Sequence, residues 1–391
     1  MTARVTPTPL EIAAGRMIGL VAEPVRPLQG DPGLSPLDVL EEAVVPALER
    51  PPCLVSFSGG RDSSAVLAIA ACSARRRGLP LPMPVTLRFP EAPTTDERWW
   101  QERVIGYLDL EDWVRVDVVD ELDVIGPVSA SILRRLGLVW PITASLYDLL
   151  LRRADGGSLL LGLGGDAVLG GWQLGRLRDV AARRARPRPS DLLLAGYAVA
   201  PTSIRRAVRY RWRSSTIPWL RPEALEEVRR RESHSRVLAQ RDWVRYLTLV
   251  PMRRSLVSGV QTVERLAADA NALVSAPLTE GRFLAALARL GGRRGIGGRT
   301  AVMEAIFDGA LPRDLLSRPD KAVYDDVYFR GGSRAFAREW EGSGVDPALV
   351  AHERLRGEWL APIPRGDSAL ALQAAWLAAE RAGAAKRPAT V

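Results

Sequence analysis

The residues with the clearest chemical signature are Ser58-Gly59-Gly60-Arg61-Asp62-Ser63-Ser64, which follow the apolar run Cys53–Phe57 and open an amphipathic stretch. Two adjacent glycines let a backbone approach a ligand without Cβ clashes, and serine hydroxyls are short donors. Successive amides at a helix N-terminus form an anion nest that the helix dipole strengthens. The carboxylate of Asp62 would repel phosphate unless a cation stood between them, so the pattern calls for magnesium as well as a phosphate chain. No GxxxxGK[ST] segment occurs, which argues against P-loop kinases and GTPases. A second glycine-rich turn, Leu161-Gly162-Leu163-Gly164-Gly165-Asp166, follows another apolar run and brings a second aspartate.

Turns of this kind need a strand before them and a helix after them. Cys53–Phe57, Pro84–Phe89, Trp113–Val118 and Ser158–Leu163 read as strands. Between them, Ser63–Arg77 (stopped by Gly78), Thr94–Tyr107 and Ile142–Arg153 have helical spacing. An earlier helix starts at Ser35, with Pro36 first and Asp38 third, and Pro46 is expected to end or kink it. Residues 1–34 read as an irregular lead-in. Strands alternating with helices predict an α/β fold with a doubly wound parallel sheet, followed from Gly175 by a mostly helical C-terminal half. Ligands of such sheets bind at the carboxyl ends of the strands, where both glycine turns lie.

Composition removes other chemistries. The chain has 391 residues, 47% hydrophobic and 25% charged, with a formal charge of +9. Its two cysteines, Cys53 and Cys72, form no CxxC pair, and its two histidines, His234 and His352, fit no HExxH or GxSxG context. A disulfide scaffold, a thiolate zinc site and a Ser-His-Asp hydrolase are therefore disfavoured. RNA thiolation is disfavoured too, since Cys53 falls in a strand and Cys72 inside a helix; nucleic acid is not the expected partner. There is no signal peptide and no run long enough for a membrane helix, which predicts a cytoplasmic protein without a membrane partner. Lysine occurs only at Lys321 and Lys386; every other basic residue is arginine. Residues 176–245 hold 18 arginines against seven acidic residues, a positive field that either meets an anionic ligand or is a solvated face.

SGGRDSS resembles the SGGxDS signature of the PP-loop ATP pyrophosphatases, which cleave ATP between the α and β phosphates. Within that superfamily, Leu161–Trp172 resembles the SGEGxDExFGGY segment of asparagine synthetases, keeping Gly162, Gly164, Asp166 and the Gly170-Gly171-aromatic ending. Val274–Leu278 resembles the stretch that ends in PFLD, with Thr279 in place of the aspartate, and Leu311–Lys321 resembles the LPxxxLxRxK run. The resemblance implies ATP and Mg2+ as cofactors. It places phosphates in the loop of Ser58, Gly59, Gly60, Asp62, Ser63 and Ser64, and adenine near Ser56, Leu87 and Gly162. Asp62 and Asp166 would hold the metal and share catalysis with Lys321, the family's oxyanion-stabilising lysine.

The same comparison divides the chain into a lead-in at 1–49 without a glutaminase domain and a synthetase domain at 50–380. The latter splits into a PP-loop core (50–175) and a helical part (176–380). Leu163 stands where asparagine synthetases carry their base glutamate, leaving Glu264 as a weak candidate base. β-Lactam and carbapenam synthetases also depart from glutamate there, and the amine then comes from the substrate. The segments Lys321–Arg330 and Ser333–Val350 resemble lasso-peptide macrolactam cyclases. The implied activity is an AMP-forming amide or lactam ligase acting on a peptide or small carboxylate, with peptide-processing proteins as partners. Asparagine synthetase-like amidation from free ammonia or a separate glutaminase is the alternative, and a nucleotide-binding pseudoenzyme a remote one.

Overall fold

The alternation of apolar runs and helical stretches becomes a single five-stranded sheet in the computed structural model, which describes residues 3–212, 216–237, 241–318, 322 and 324–385. Strands β1 (Cys53–Ser56), β2 (Met83–Arg88), β3 (Val114–Asp117), β4 (Ser158–Leu160) and β5 (Leu273–Ser275) are all parallel, in the order β3-β2-β1-β4-β5. Leu54 at the centre pairs with Met83 on one side and Leu159 on the other. Side chains alternate between two cores: Cys53, Val55, Phe57 and Leu160 enter one, and Leu54, Leu159 and Leu161 enter the other. A parallel sheet buried on both faces needs continuous apolar strands, which is how the central β1 and β4 read, whereas β3 at the edge alternates.

Helices α2 (Pro36–Leu48) and α3 (Arg61–Arg77) cover the first face. Helices α5 (Pro127–Leu136) and α6 (Ala144–Arg153) cover the second, while α4 (Arg98–Leu108) joins β2 to β3 on the first side. The chain is therefore doubly wound. Its strand order reverses between β1 and β4, which opens a crevice at their carboxyl ends. From Gly175 onward the described residues are helical or irregular apart from β5.

Four local expectations are corrected. Residues 1–34 are not irregular throughout: α1 (Pro9–Ala14) is capped by Thr8 and Glu11, and it buries Leu10, Ala13 and Ala14. Pro46 does not end α2, which continues to Leu48. Pro46 lies on the exposed side of the last turns, where water can meet the carbonyl its ring leaves unpaired. The stretch from Thr94 is divided, because a 3₁₀ turn at Pro93–Thr95 precedes α4 and Asp96 accepts from the Arg98 amide between them. Finally, β4 stops at Leu160, before the glycine turn, and β5 is an additional edge strand. No helix among the described residues is long and apolar enough to cross a membrane.

Candidate active site

The chain leaves β1 through Phe57 and Ser58 and turns at Gly59, whose φ of +86° suits glycine. A Cβ there would also meet Gln101 Cγ at 2.7 Å. Gly60 is the N-cap of α3 and offers no side chain to the first-turn amides, which leaves those donors to a ligand. The loop is braced from within: Ser63 Oγ accepts from the Ser58 amide at 3.2 Å and donates to the Gly60 carbonyl at 3.1 Å. It is braced from outside as well, where Gln101 Nε2 donates to the Ser58 carbonyl and Arg318 to the Gly59 carbonyl, each at 2.9 Å.

The second turn packs directly against the first. A Cβ on Gly165 would stand 2.4 Å from Asp62 Cγ, so only glycine leaves the Asp62 carboxylate its place. One residue later, Asp166 opens onto the same space. Arg299, at the start of the Arg299–Phe307 helix, donates to Asp62 at 2.7 Å and also to Asp166. Burial works against the Arg299 charge, but the two carboxylates outweigh it and hold the guanidinium above its ordinary value. Nearby, Arg61 is shifted down, first by burial and then by Arg299.

The two aspartates thus converge on one cationic group, as a divalent ion bound jointly by protein and phosphate oxygens would require. No group of three or more His, Cys, Asp or Glu residues placed to hold a metal ion occurs among the described residues. A metal here would therefore draw its remaining ligands from phosphate and water, and Asp62 and Asp166 fit Mg2+ on those terms.

A cavity of about 600 Å³ extends from these turns along the strand ends. Ser56, Leu87 and Gly162 line it, with Phe89, Thr143 and Tyr147. Its far wall carries Arg318 and Glu97, which are 3% and 7% exposed and form an ion pair. Tyr324 donates to the same Glu97 carboxylate at 3.0 Å. Burial, then the Glu97 charge, push the Tyr324 hydroxyl far above its ordinary range, so it stays neutral. Arg318 also lies over the Trp100 ring at 4.8 Å.

A phosphate loop and a paired-aspartate turn at the β1/β4 reversal set the geometry, and residues 37–376 match the family model described as asparagine synthase. The chain belongs to the asparagine synthase family. No curated protein matches its sequence. Membership makes it an ATP-dependent ligase of the amide-forming kind.

Within the asparagine synthase frame, the structure brings together Ser56, Ser58, Gly60, Asp62, Ser63, Leu87, Gly162 and Asp166 around one cavity. Two residues expected to touch nucleotide do not line it. Gly59 makes the turn and gives its carbonyl to Arg318, and Ser64, in the first turn of α3, is fully buried. Lys321 lies outside the described residues. Glu264 is exposed, because the Arg254–Asp269 helix buries the face of Leu256, Val263 and Leu266, and it does not line the cavity. Leu163 does line it, an apolar group in the glutamate position.

Sequence reasoning missed Arg299, Glu97, Tyr147, Tyr324 and Tyr328, and it gave Arg318 no role although the LxRxK resemblance includes it. A Gly297-Gly298 turn before Arg299 was the one local signal for that residue.

Proposed function

We propose that this ligase activates a substrate carboxylate as an acyl-adenylate and transfers the acyl group to an amine of the substrate itself, closing a lactam on a peptide. The carrying observation is the convergence of Asp62 and Asp166 beside the uncapped α3 amides, which suits a nucleotide whose leaving group is pyrophosphate. A carboxylate oxygen attacks the α-phosphorus, the bond to the β-phosphate oxygen breaks, and pyrophosphate is held by the Ser58–Ser63 loop. The amine then attacks the acyl carbon, the bond to AMP breaks, and the amine proton leaves. Mg2+ bound by Asp62 and Asp166 would screen phosphate charge and polarise the α-phosphorus. Lys321 stabilises the acyl oxygen as it gains charge. Leu163 supports an amine delivered by the substrate, since an apolar wall offers nothing to orient free ammonia.

Chromatography of nucleotides after incubation with ATP and a carboxylate-bearing peptide tests this. AMP and pyrophosphate are expected, with ADP as the main product overturning the assignment. Lys321→Ala should retain ATP binding while amide product falls roughly 100-fold, the order seen for loss of one oxyanion donor.

A further inference from the structure

A second cavity, of about 630 Å³, lies on the helical half of the molecule. Arg206 from the Thr202–Trp212 helix and Arg230, Arg231 and His234 from the Pro222–Val237 helix line it, all exposed. Its floor is aliphatic, made by Ile18 and Leu20. One carboxylate, Glu227, stands among these charges and is shared by Arg230 and Arg231, with Arg231 at 2.6 Å. Three guanidinium groups around one carboxylate leave net positive charge within the segment where 18 arginines face seven acidic residues.

This groove is joined to the catalytic cleft through one helical turn. Leu20 bridges Arg253, and the Arg254 amide donates to the Gly19 carbonyl at 3.1 Å. Two residues further along the same helix, Leu256 Cδ1 lies 3.2 Å from the position a Cβ would take on Gly164, in the glycine turn that lines the cleft. A chain held in the groove is therefore one helical turn from the wall of the site that activates a carboxylate.

We propose that this groove anchors an acidic segment of the peptide substrate, its carboxylates on Arg206, Arg230 and Arg231 and its apolar side chains on Ile18 and Leu20. The proposal rests on the reading of a peptide substrate given above. The lining favours peptide over nucleic acid: no Phe, Tyr or Trp is present for bases to stack on. Glu227 also opposes a phosphate backbone, whereas it accepts a peptide N–H.

The test is fluorescence anisotropy of a labelled peptide of alternating Glu and Leu, with the full chain at low salt. Arg206→Ala/Arg231→Ala should weaken binding roughly tenfold, and about 300 mM salt should weaken it in the wild type. Arg178→Ala/Arg186→Ala removes the same charge from exposed positions outside the groove and should leave binding within about twofold. Equal losses in both variants would mean a diffuse field and overturn the groove. So would failure of the wild type to bind, or tighter binding of a single-stranded RNA probe. ATP binding and circular dichroism of the groove variant should match the wild type; if they do not, Arg206→Gln/Arg231→Gln is read instead by the same criteria. Asp62→Asn should bind the peptide normally, so localised peptide binding beside ADP formation would sink the adenylation chemistry and leave the groove standing.

Discussion

Replacing Arg299 separates a metal-competent aspartate pair from an ordinary surface ion pair. In the nucleotide-free protein, one guanidinium 21% exposed neutralises Asp62, 16% exposed, and Asp166, 57% exposed. Arg299→Met removes the guanidinium that both carboxylates share, leaving a repulsion of about 3 kcal/mol for charges on the order of 5 Å apart at an effective dielectric constant near 20. Solvent at Asp166 screens part of this, so a net loss of about 2 kcal/mol is expected. In a chain of this length that is a fall in Tm of roughly 2–4 °C. The net charge of the cluster changes at the same time from −1 to −2, and a divalent cation should then bind roughly tenfold more tightly. Scanning calorimetry with and without Mg2+ at about 10 mM should show the ion restoring about 1.4 kcal/mol to the variant and much less to the wild type. Turnover should fall even so, because the phosphates lose a cation. A variant as stable as wild type and no more responsive to Mg2+ would refute the claim that these carboxylates form one cation site.

Gly165→Ala should behave as an indirect loss of Asp62, since its Cβ would fall 2.4 Å from Asp62 Cγ; a drop in turnover of at least roughly tenfold with an unchanged circular dichroism spectrum is expected. Glu11 is only 2% exposed; burial opposes its charge, but hydrogen bonds from Arg254, Ile18 and Thr8 outweigh that and lower its carboxyl below the ordinary range. Its contribution is thus complete above about pH 4.3 and is lost as pH falls through the lower folded-state value. Glu11→Ala should cost about 3 kcal/mol near neutrality, by leaving Arg254 without its partner, and should flatten the acid limb of a urea-denaturation series.

Strands β1, β2 and β4 were legible because each is a short apolar run bounded by glycine or proline, and β3 because it alternates; each was placed within a few residues. β5 was not, because three residues at a sheet edge carry too little pattern, and α1 escaped for the same reason of length. The aspartates were legible because the backbone around each is locally constrained: glycine neighbours mark Asp62 and Asp166 before any fold is known. Arg299 is 133 residues from Asp166 and is one arginine in a chain whose 54 basic residues include only two lysines. Only the Gly297-Gly298 turn before it marks it locally, since its role arises from a helix packed against the second turn. Glu97 and Tyr324 are similarly separated, and their pairing depends on where the fold brings Tyr324 against the strand ends.

Leu163 has a consequence for the fate of an activated acyl group. An acyl-adenylate is open to capture by water, which is abundant but a poor nucleophile until a base withdraws its proton. A glutamate at position 163 would activate water as readily as an amine. An isobutyl group activates neither, so the competition falls back on intrinsic reactivity, where an uncharged amine far exceeds water. On the proposed chemistry, the intermediate would find no base for water at Leu163 while a tethered amine reaches it. In the proposed mechanism, the apolar side chain that lacks the reactive group would thus act as a filter on which nucleophile succeeds.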